Sequence, residues 1–313
     1  MSAIKRLGIK AEKNKTSEYT DKQAQTSSTF GYKWSRKETY ESDSMKAFVK
    51  NWLIERYTDN NHTIINEWLK GGSKIILDAG CGSGLSASLL FGKVLNDNDY
   101  LGVDISESVF IAKEKFDEEG IKGEFLQASI LDLPVADESV DMIFSEGVLH
   151  HTDSTERALK YLAKKIKSGG MFLFYVYAKK AVIREFVDDH VRMEMNKFSD
   201  EEAWEKLKPL TKLGIELGKI KEKIEVPEDI PFLGIKKGSY DLQRFFYWNI
   251  FKAYYREDFD LEEMNHVNFD WYRPLNCQRQ TKEEIMRYCD EAGLDIERLN
   301  TQEAGFTIVA RKI

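Results

Sequence analysis

Three alternating glycines and two aspartates have the types and spacing needed to bind a nucleoside. Asp78 ends a short apolar run, and Gly80, Gly82 and Gly84 alternate with small residues directly after it. Glycine lets backbone N–H groups approach a ligand and adopts positive φ, so the pattern is typical of a tight turn between a buried strand and a helix. Asp104 ends the next apolar run, about twenty residues further on, where a carboxylate suits two neighbouring ribose hydroxyls.

Two classes of ligand fit a glycine-rich turn of this kind. Dinucleotide-binding folds use the pattern G-x-G-x-x-G and seat a pyrophosphate on the helix dipole. Here the third glycine comes one residue early, at Gly84, and position 85 is Leu. The carboxylate of Asp78 would repel a pyrophosphate, but it can hold a cationic amino-acid tail directly or through water. A purely structural turn would account for neither acid.

The segments LDAGCGSG (residues 77–84) and LGVDIS (residues 101–106) resemble the nucleotide-binding motif of class I S-adenosylmethionine (SAM) methyltransferases. Two motifs at the right separation make the resemblance specific, and it implies SAM as the cofactor. The implied cofactor-binding residues are Asp78, Gly80, Cys81, Gly82, Gly84, Asp104, Ile105, Ser129, Ile130 and Ser145.

A further pair of segments is similar to one group within that family. QASILDLP (residues 127–134) and VDMI (residues 140–143) resemble the adenine-side loop and fourth strand of the methyltransferases of ubiquinone and menaquinone synthesis. Those relatives usually have Asp where this chain has Ser129, which removes the carboxylate expected to bond the adenine amino group. Ile130 would pack on the adenine ring.

Two aromatic segments resemble parts of surface-sugar methyltransferases. They are FGYKW (residues 30–34) and DWYRP (residues 270–274). The resemblance makes Trp34, Tyr32, Tyr272 and Arg273 the candidates for contact with substrate. The alternatives are that the first segment only pins the N-terminal arm to the domain, and that the second is a tight turn bracing a lid.

Candidate catalytic residues follow the predicted fourth strand. Glu146, His150 and His151 lie where the methyl end of the cofactor is expected. An imidazole is the side chain best suited to take a proton near neutral pH, so His151, and then His150, is a candidate base. Glu146 would act as a base or contact the cofactor amino group. A structural role is the alternative for both histidines, and a solvated loop acid is the alternative for Glu146.

Alternating apolar runs and helical patterns predict how these residues are positioned. Strands are expected at 75–78, 100–104, 123–127, 140–145, 170–177, 294–300 and 304–311. Repeated strand–helix units imply a Rossmann-like α/β fold, and the resembled fold has seven strands with the last antiparallel and helices on both faces. Ligands in such sheets bind beyond the carboxyl ends of the strands, which is where the candidate residues fall.

The chain is predicted to divide into four regions. An N-terminal arm and cap helices cover residues 1–60, the SAM-binding core covers 61–178, and a C-terminal helix with a strand pair covers 276–313. Residues 179–275 form an insertion far longer than an ordinary connection, which is typical of a helical substrate lid. Within these regions, the polar residues 1–28 would be flexible if left alone, and 200–224 are expected to be helical.

The insertion is rich in aromatic residues. Residues 240–272 contain 12 of the chain's 38 aromatic side chains. They suit a lid core with a dimer or domain contact, or a pocket for an apolar or sugar-like substrate. Four arginines are candidates for binding a substrate carboxylate or phosphate: Arg244, Arg256, Arg273 and Arg279.

Composition limits the remaining alternatives. The 313 residues are 32% charged with a net charge of −7, whereas nucleic-acid binders usually show a basic excess, so a nucleic-acid partner is disfavoured. Three cysteines without a CxxC pair indicate a reducing compartment, and no metal site is expected. No apolar run is long enough for a membrane span and no signal sequence is recognisable, so a cytoplasmic location is expected, with a homodimer as one oligomeric option.

The leading functional hypothesis is a SAM-dependent methyltransferase acting on a small molecule, with O-methylation of a sugar or related metabolite ahead of C- or N-methylation. Two alternatives stay open: a SAM-binding protein without methyl transfer, and a methyltransferase acting on a protein or RNA.

Overall fold

One mixed seven-stranded sheet organises the computed structural model, which describes residues 3–9 and 19–313. The strands are β1 (Ile75–Ala79), β2 (Asp99–Asp104), β3 (Glu124–Gln127), β4 (Val140–Glu146), β5 (Ile166–Tyr177), a separate hairpin of β6 (Lys223–Val226) and β7 (Gly238–Asp241), then β8 (Leu294–Thr301) and β9 (Gly305–Lys312). Their order in the sheet is β3-β2-β1-β4-β5-β9-β8, and β9 runs antiparallel to both neighbours. The predicted α/β fold with its antiparallel last strand is confirmed.

Helices lie before, between and after these strands. They are α1 (Ala3–Arg6), α2 (Asp21–Ser35), α3 (Asp43–Thr58), α4 (Thr63–Trp68), α5 (Leu85–Phe91), α6 (Ser108–Glu119), α7 (Thr155–Lys165), α8 (Val182–Met195), α9 (Asp200–Lys219), α10 (Leu242–Asn249), α11 (Leu261–Tyr272) and α12 (Lys282–Glu291). The helices α8 to α11, together with the β6–β7 hairpin, are called the lid below. No helix among the described residues combines the length and the apolar character needed to cross a membrane.

Side chains alternate between the two faces of the sheet, and each face is covered by helices. In β1, Ile75 and Leu77 join one apolar core with α7 and α12, whereas Ile76 joins the other with α3 and α5. Successive strand residues point to opposite faces, so a strand buried on both sides reads as an unbroken apolar run. That is why the strand was recognisable from its sequence.

The order of the strands reverses between β1 and β4. The chain moves outward from β1 through β2 to β3, then returns to place β4 on the other side of β1. A crevice opens beyond the carboxyl ends of strands at such a reversal. The turn after β1, the end of β2 and the loop after β4 therefore meet there.

Two predicted boundaries are wrong. The helix expected over 200–224 ends at Lys219, and Ile224 lies in β6, which pairs with β7. The strand expected over 170–177 begins four residues earlier, at Ile166, and its register against β4 is irregular. In both places the pairing with a distant segment decides the boundary, and the local pattern does not show that partner.

The N-terminal segment is ordered by contact with the lid. Of the residues 1–28 expected to be flexible alone, 1–2 and 10–18 lie outside the described part, and from Asp21 onward the chain is helical. The Thr20 side chain caps α2 by accepting from the Gln23 N–H. Buried Thr29 donates its hydroxyl to Asp200 of α9 at 3.2 Å. Polar residues are thus held here by hydrogen bonds to the rest of the fold.

Candidate active site

A cavity of about 600 Å³ opens beyond the carboxyl ends of β1, β2 and β4 and is covered by α2, α3 and the lid. The strand-end residues on its wall are Gly80, Asp104, Ile105, Ser129, Ile130, Glu146, Gly147, Val148 and His151. The facing wall includes Lys33, Trp34, Tyr247, Trp248, Lys252 and Trp271. Its volume is that of a site for small ligands.

The glycine-rich turn is fixed by backbone hydrogen bonds. The N–H groups of Gly80 and Cys81 both donate to the Val103 carbonyl, at 2.7 and 2.9 Å. Gly80 has φ +88°, and a Cβ there would lie 2.3 Å from the Val148 side chain. Only glycine meets both conditions, because the turn needs a left-handed residue that is in close contact with the loop after β4.

Asp104 connects that turn to the cavity. Its Oδ2 accepts the Gly82 N–H at 3.0 Å, and its Oδ1 accepts the Ser106 N–H at 2.9 Å and the Ser106 hydroxyl at 2.7 Å. Burial raises the pKa of this carboxyl, and those hydrogen bonds oppose the rise. A carboxylate has about four acceptor sites, so one on Oδ2 is left for a ligand hydroxyl.

Two further acids take different places around the turn. Asp78 is buried beneath it, accepts the Tyr100 hydroxyl at 2.6 Å, and does not line the cavity. Burial raises the pKa of Asp78 to about 7. Glu146 does line the cavity, and it accepts from Arg56 Nη2 and from the Tyr57 hydroxyl, each at 2.6 Å. Glu146 is therefore a carboxylate held in place by Arg56 and Tyr57, and it offers a negative charge on the cavity wall.

Not every predicted cofactor residue faces the cavity. Ile105, Ser129 and Ile130 line it, and the Ser129 hydroxyl accepts the Leu131 N–H at 3.2 Å. Ser145 does not line the cavity, because its hydroxyl donates a hydrogen bond to the Ala79 carbonyl at 2.8 Å and connects β4 to β1. The turn residues that also lie off the wall are Cys81, Gly82 and Gly84.

The two adjacent histidines differ in place. His151 lines the cavity, and its Nδ1 lies 2.6 Å from the Asn276 carbonyl oxygen while its Nε2 is buried without a partner among the described residues. Burial lowers the pKa of His151 to about 4. His150 is fully buried against the Tyr177 ring, 3.8 Å between centroids, and does not line the cavity. The expectation that His150 reaches the reacting atoms is therefore wrong, because its side chain packs inward.

Of the two substrate residues predicted on α2, one lines the cavity and one does not. Trp34 lines the cavity and covers Gly82, where an added Cβ would lie 2.7 Å from its Nε1. Tyr32 instead packs on the lid residues Trp204 and Phe269. Its predicted contact with substrate is not supported, since α2 turns this ring away from the cavity.

Tyr272 and Arg273 also lie off the cavity wall. The Tyr272 hydroxyl accepts the Lys252 N–H at 2.7 Å within the lid core. Arg273 lies 2.9 Å from Asp200 and donates to the Phe198 carbonyl. The predicted substrate contacts are wrong here because helix α11 continues through Tyr272 and directs both side chains into the lid. The alternative of a brace for the lid agrees with these contacts.

Several wall residues were not predicted. Asp270 accepts a hydrogen bond from the Tyr177 hydroxyl at 2.7 Å and forms an ion pair with Lys33. Although burial opposes it, the positive charge of Lys33 lowers the pKa of Asp270 far below its usual range. Lys252 and four aromatic rings of the lid also face the cavity. Of the four arginines predicted as candidates for a substrate anion, Arg244 and Arg256 line the cavity, whereas Arg273 and Arg279 do not. For Asp270, Lys252 and the aromatic rings, the dense aromatic segment 240–272 was the available signal.

Comparisons with known proteins agree with this geometry. Residues 77–174 match the family described as methyltransferase domain. A Synechococcus sp. protein of unassigned function is 36% identical over 120 residues, which is 36% of this chain and 28% of that protein. The probable tRNA methyltransferase 9B of Bos taurus is 33% identical over 132 residues, 41% of this chain and 26% of that protein.

Residues 77–174 form a class I SAM-dependent methyltransferase domain. The predicted family and its cofactor are thereby confirmed for this segment. The matched stretch spans only about a quarter of the two relatives' lengths. The crystal structure of magnesium protoporphyrin IX methyltransferase from Synechocystis PCC 6803 with bound SAM has the same fold. Its TM-score is 0.50 at 12% identity, covering 95% of this chain and all of that one.

The methyltransferase domain presents groups that fit its cofactor. Asp104 offers a free acceptor position for the ribose, and Ile105 and Ile130 offer apolar contact for an adenine ring. Glu146 offers a fixed negative charge on the same wall. The residues of the wall thus match a nucleoside with a cationic tail. The spacing of the glycines favoured the same ligand over a dinucleotide.

Proposed function

We propose that the protein is a SAM-dependent methyltransferase that acts on a small molecule enclosed by the lid. The observation that carries this proposal is the shared cavity, in which strand-end residues of the methyltransferase domain face lid residues across about 600 Å³. An acceptor bound against Tyr247 or Trp248 would share one water-poor space with the cofactor. A cavity enclosed in this way suits small ligands better than a macromolecular surface.

Bound SAM supplies a methyl group that its sulfonium has already activated. The protein's contribution is then mainly to bind and to align, since near-attack positioning alone can remove ~7–11 kcal/mol from a barrier. Asp104 would hold the ribose, Ile105 and Ile130 the adenine, and Glu146 the amino group. Trp34, which covers the glycine-rich turn, would exclude water from above.

His151 is the proposed proton acceptor for an alcohol. The hydrogen bond from Nδ1 to the Asn276 carbonyl leaves the Nε2 lone pair free. A base of this kind contributes about 10²–10⁴-fold when it takes a proton in the transition state. The lowered pKa keeps His151 neutral, and therefore able to accept, throughout the physiological range.

O-methylation of a sugar or related metabolite is the finer proposal. Tyr247, Trp248, Tyr254 and Trp271 line the acceptor side of the cavity. Aromatic faces with polar edges pack against sugar rings as well as against apolar groups. The resemblance of the aromatic segments to surface-sugar methyltransferases gives the same preference.

Methylation of tRNA is the second candidate function. It is favoured by the match of the domain to a protein named as a probable tRNA methyltransferase. The net charge of −7 and the cover formed by α2 and the lid argue against a polyanionic acceptor. The two candidate functions therefore differ in the size and charge of the methyl acceptor, a small molecule in one and a large polyanion in the other.

Calorimetry with SAM, followed by release of S-adenosylhomocysteine over a panel of metabolites and unmodified tRNA, tests these proposals. SAM binding with turnover on a small molecule is the expected result. Turnover on tRNA alone would establish the second candidate. Tight binding of SAM without turnover on any acceptor would favour a SAM-binding protein that transfers no methyl group.

A further inference from the structure

Three cationic side chains surround one ring of the cavity wall. Lys252 Nζ lies 4.9 Å, Arg184 Cζ 5.2 Å and Lys180 Nζ 5.5 Å from the centre of the Trp271 ring. Arg184 and Lys252 are 1% and 5% exposed, and all four residues line the cavity. This gathering of positive charge surrounds a ring of the lid helix α11.

Two of the three cations have their hydrogen-bonding partners within the protein. Arg184 Nε donates to both oxygens of Asp188, at 2.8 and 2.7 Å, and the Trp271 Nε1–H donates to the same carboxylate at 2.7 Å. Lys180 Nζ donates to the carbonyls of Ala178, Glu303 and Ala304 at 2.8, 2.6 and 2.8 Å. Asp188 and the carbonyls are thus committed to these two side chains.

Lys252 differs from both. Among residues 3–9 and 19–313, its Nζ makes no hydrogen bond and no ion pair, and its ring contact with Trp271 is the interaction found for it. Asp270 of α11, whose charge acts on Lys252, is paired with Lys33 and accepts a hydrogen bond from the Tyr177 hydroxyl. Burial lowers the pKa of Lys252 to about 7; the charges of Asp270 and Asp188 oppose this fall, and that of Arg184 adds to it. A buried ammonium without an acceptor is unfavourable until an anion meets it.

We propose that Lys252 binds an anionic group of the methyl acceptor, a carboxylate or a phosphate, against the face of Trp271. The inference rests on the proposed function, since it describes the acceptor of that reaction. Arg184 and Lys180 strengthen the site through their charge while keeping their own partners. The acceptor is then a small molecule with an anionic end near Trp271 and a body against Tyr247 and Trp248.

Three aromatic probes of similar size test the charge preference. Benzoate, phenyl phosphate and benzyl alcohol are titrated into the full-length protein, with and without saturating S-adenosylhomocysteine, and binding is followed by calorimetry. At least one anion is expected to bind about tenfold or more tightly than the alcohol, as for a hydrogen bond to a charged group. The tighter anion distinguishes a carboxylate from a phosphate.

Variants at Lys252 test whether this side chain causes the preference for an anion over the alcohol. Lys252→Met keeps the volume and removes the charge, and it is expected to fold and to bind benzyl alcohol while losing the preference for the anion. Lys252→Arg is expected to keep part of the preference. Lys236→Met, at a lysine 76% exposed and off the cavity wall, is the matched control and should behave as the wild type.

The outcomes separate the two proposals. Equal binding of the alcohol and both anions, absence of anion binding, or an unchanged preference in Lys252→Met would overturn the anion site. Absence of S-adenosylhomocysteine binding would overturn the proposed function instead, and the titrations without that ligand would still report on the anion site.

Discussion

His151 Nδ1 lies 2.6 Å from the carbonyl oxygen of Asn276, and this contact fixes the proton on that nitrogen. A carbonyl only accepts, so the neutral ring must donate from Nδ1 and keep its lone pair on Nε2. The contact joins the loop after β4 to the segment before α12. The orientation of the His151 ring therefore depends on a segment that lies 125 residues further along the chain.

Replacing His151 by Gln should lower turnover about 10²–10⁴-fold, because the amide cannot accept a proton. The affinity for SAM should change much less, since the ring is assigned to the acceptor. Turnover and SAM affinity are compared in the same preparations, with His62→Gln on an exposed helix cap as the control. Parallel loss of both quantities would indicate collapse of the loop and not the loss of a base.

Replacing Glu146 by Gln should destabilise the fold by about 3 kcal/mol, since it removes the anion that faces a fully buried arginine. Urea unfolding measures the effect. Glu297→Gln removes the partner of Arg311 at the surface and should cost less than about 1 kcal/mol. Equal effects in the two variants would mean that Arg56 does not depend on its partner.

A methyl group added at Gly82 should displace Trp34. The new Cβ would lie 2.7 Å from the indole Nε1, at a residue with φ +52°. We expect Gly82→Ala to weaken SAM binding and to cost more stability in the wild-type background than in Trp34→Ala, where the ring is gone. A double-mutant cycle on unfolding free energy measures the coupling, and additive effects would refute the steric explanation.

The methyltransferase segment was predictable because its signals are local. A buried strand, a glycine-rich turn and an acid at the next strand end can each be read within a few residues, and Asp104 lies where that pattern placed it. Which of these side chains face the cavity could not be predicted from the pattern alone. Asp78 and Ser145 lie beneath it, because their strands are buried on both faces and their polar ends bond within the sheet.

The lid side of the site was not predictable in the same way. Lys33 pairs with Asp270, 237 residues away, and neither has a local pattern that identifies the other. Tyr272 and Arg273 were chosen from a resemblance, but the packing of α11 turns them into the lid core. Lys252 could only be recognised once the structure showed that it is buried on the cavity wall and that its Nζ has no hydrogen-bonding partner among the described residues.

Stability should depend on pH through Asp78. Its folded pKa of about 7 lies above the usual value, so the folded state holds an extra proton between about pH 4 and pH 7. Stability from this group is present below that window and is lost as pH rises through it, by at most about 1.4 kcal/mol per pH unit.

Asp78→Asn removes this titration, so its stability relative to the wild type should rise from pH 4 to pH 7 in urea unfolding without ligand. Asp295→Asn, at an exposed position in β8, is the control and should give a constant difference. A constant difference for Asp78→Asn as well would show that the carboxyl is already ionised in the folded state.

The coupling between the ribose hydroxyls and the Asp104 carboxylate tests the central claim most directly. S-adenosylhomocysteine and its 2′,3′-dideoxy analogue are titrated into the wild type and Asp104→Asn, with thermal unfolding as a check on folding. In the wild type we expect the dideoxy analogue to bind about ten- to a hundredfold more weakly, and in Asp104→Asn we expect most of that difference to disappear. If both proteins discriminate equally, or if neither binds S-adenosylhomocysteine, the ribose of the cofactor does not lie against Asp104.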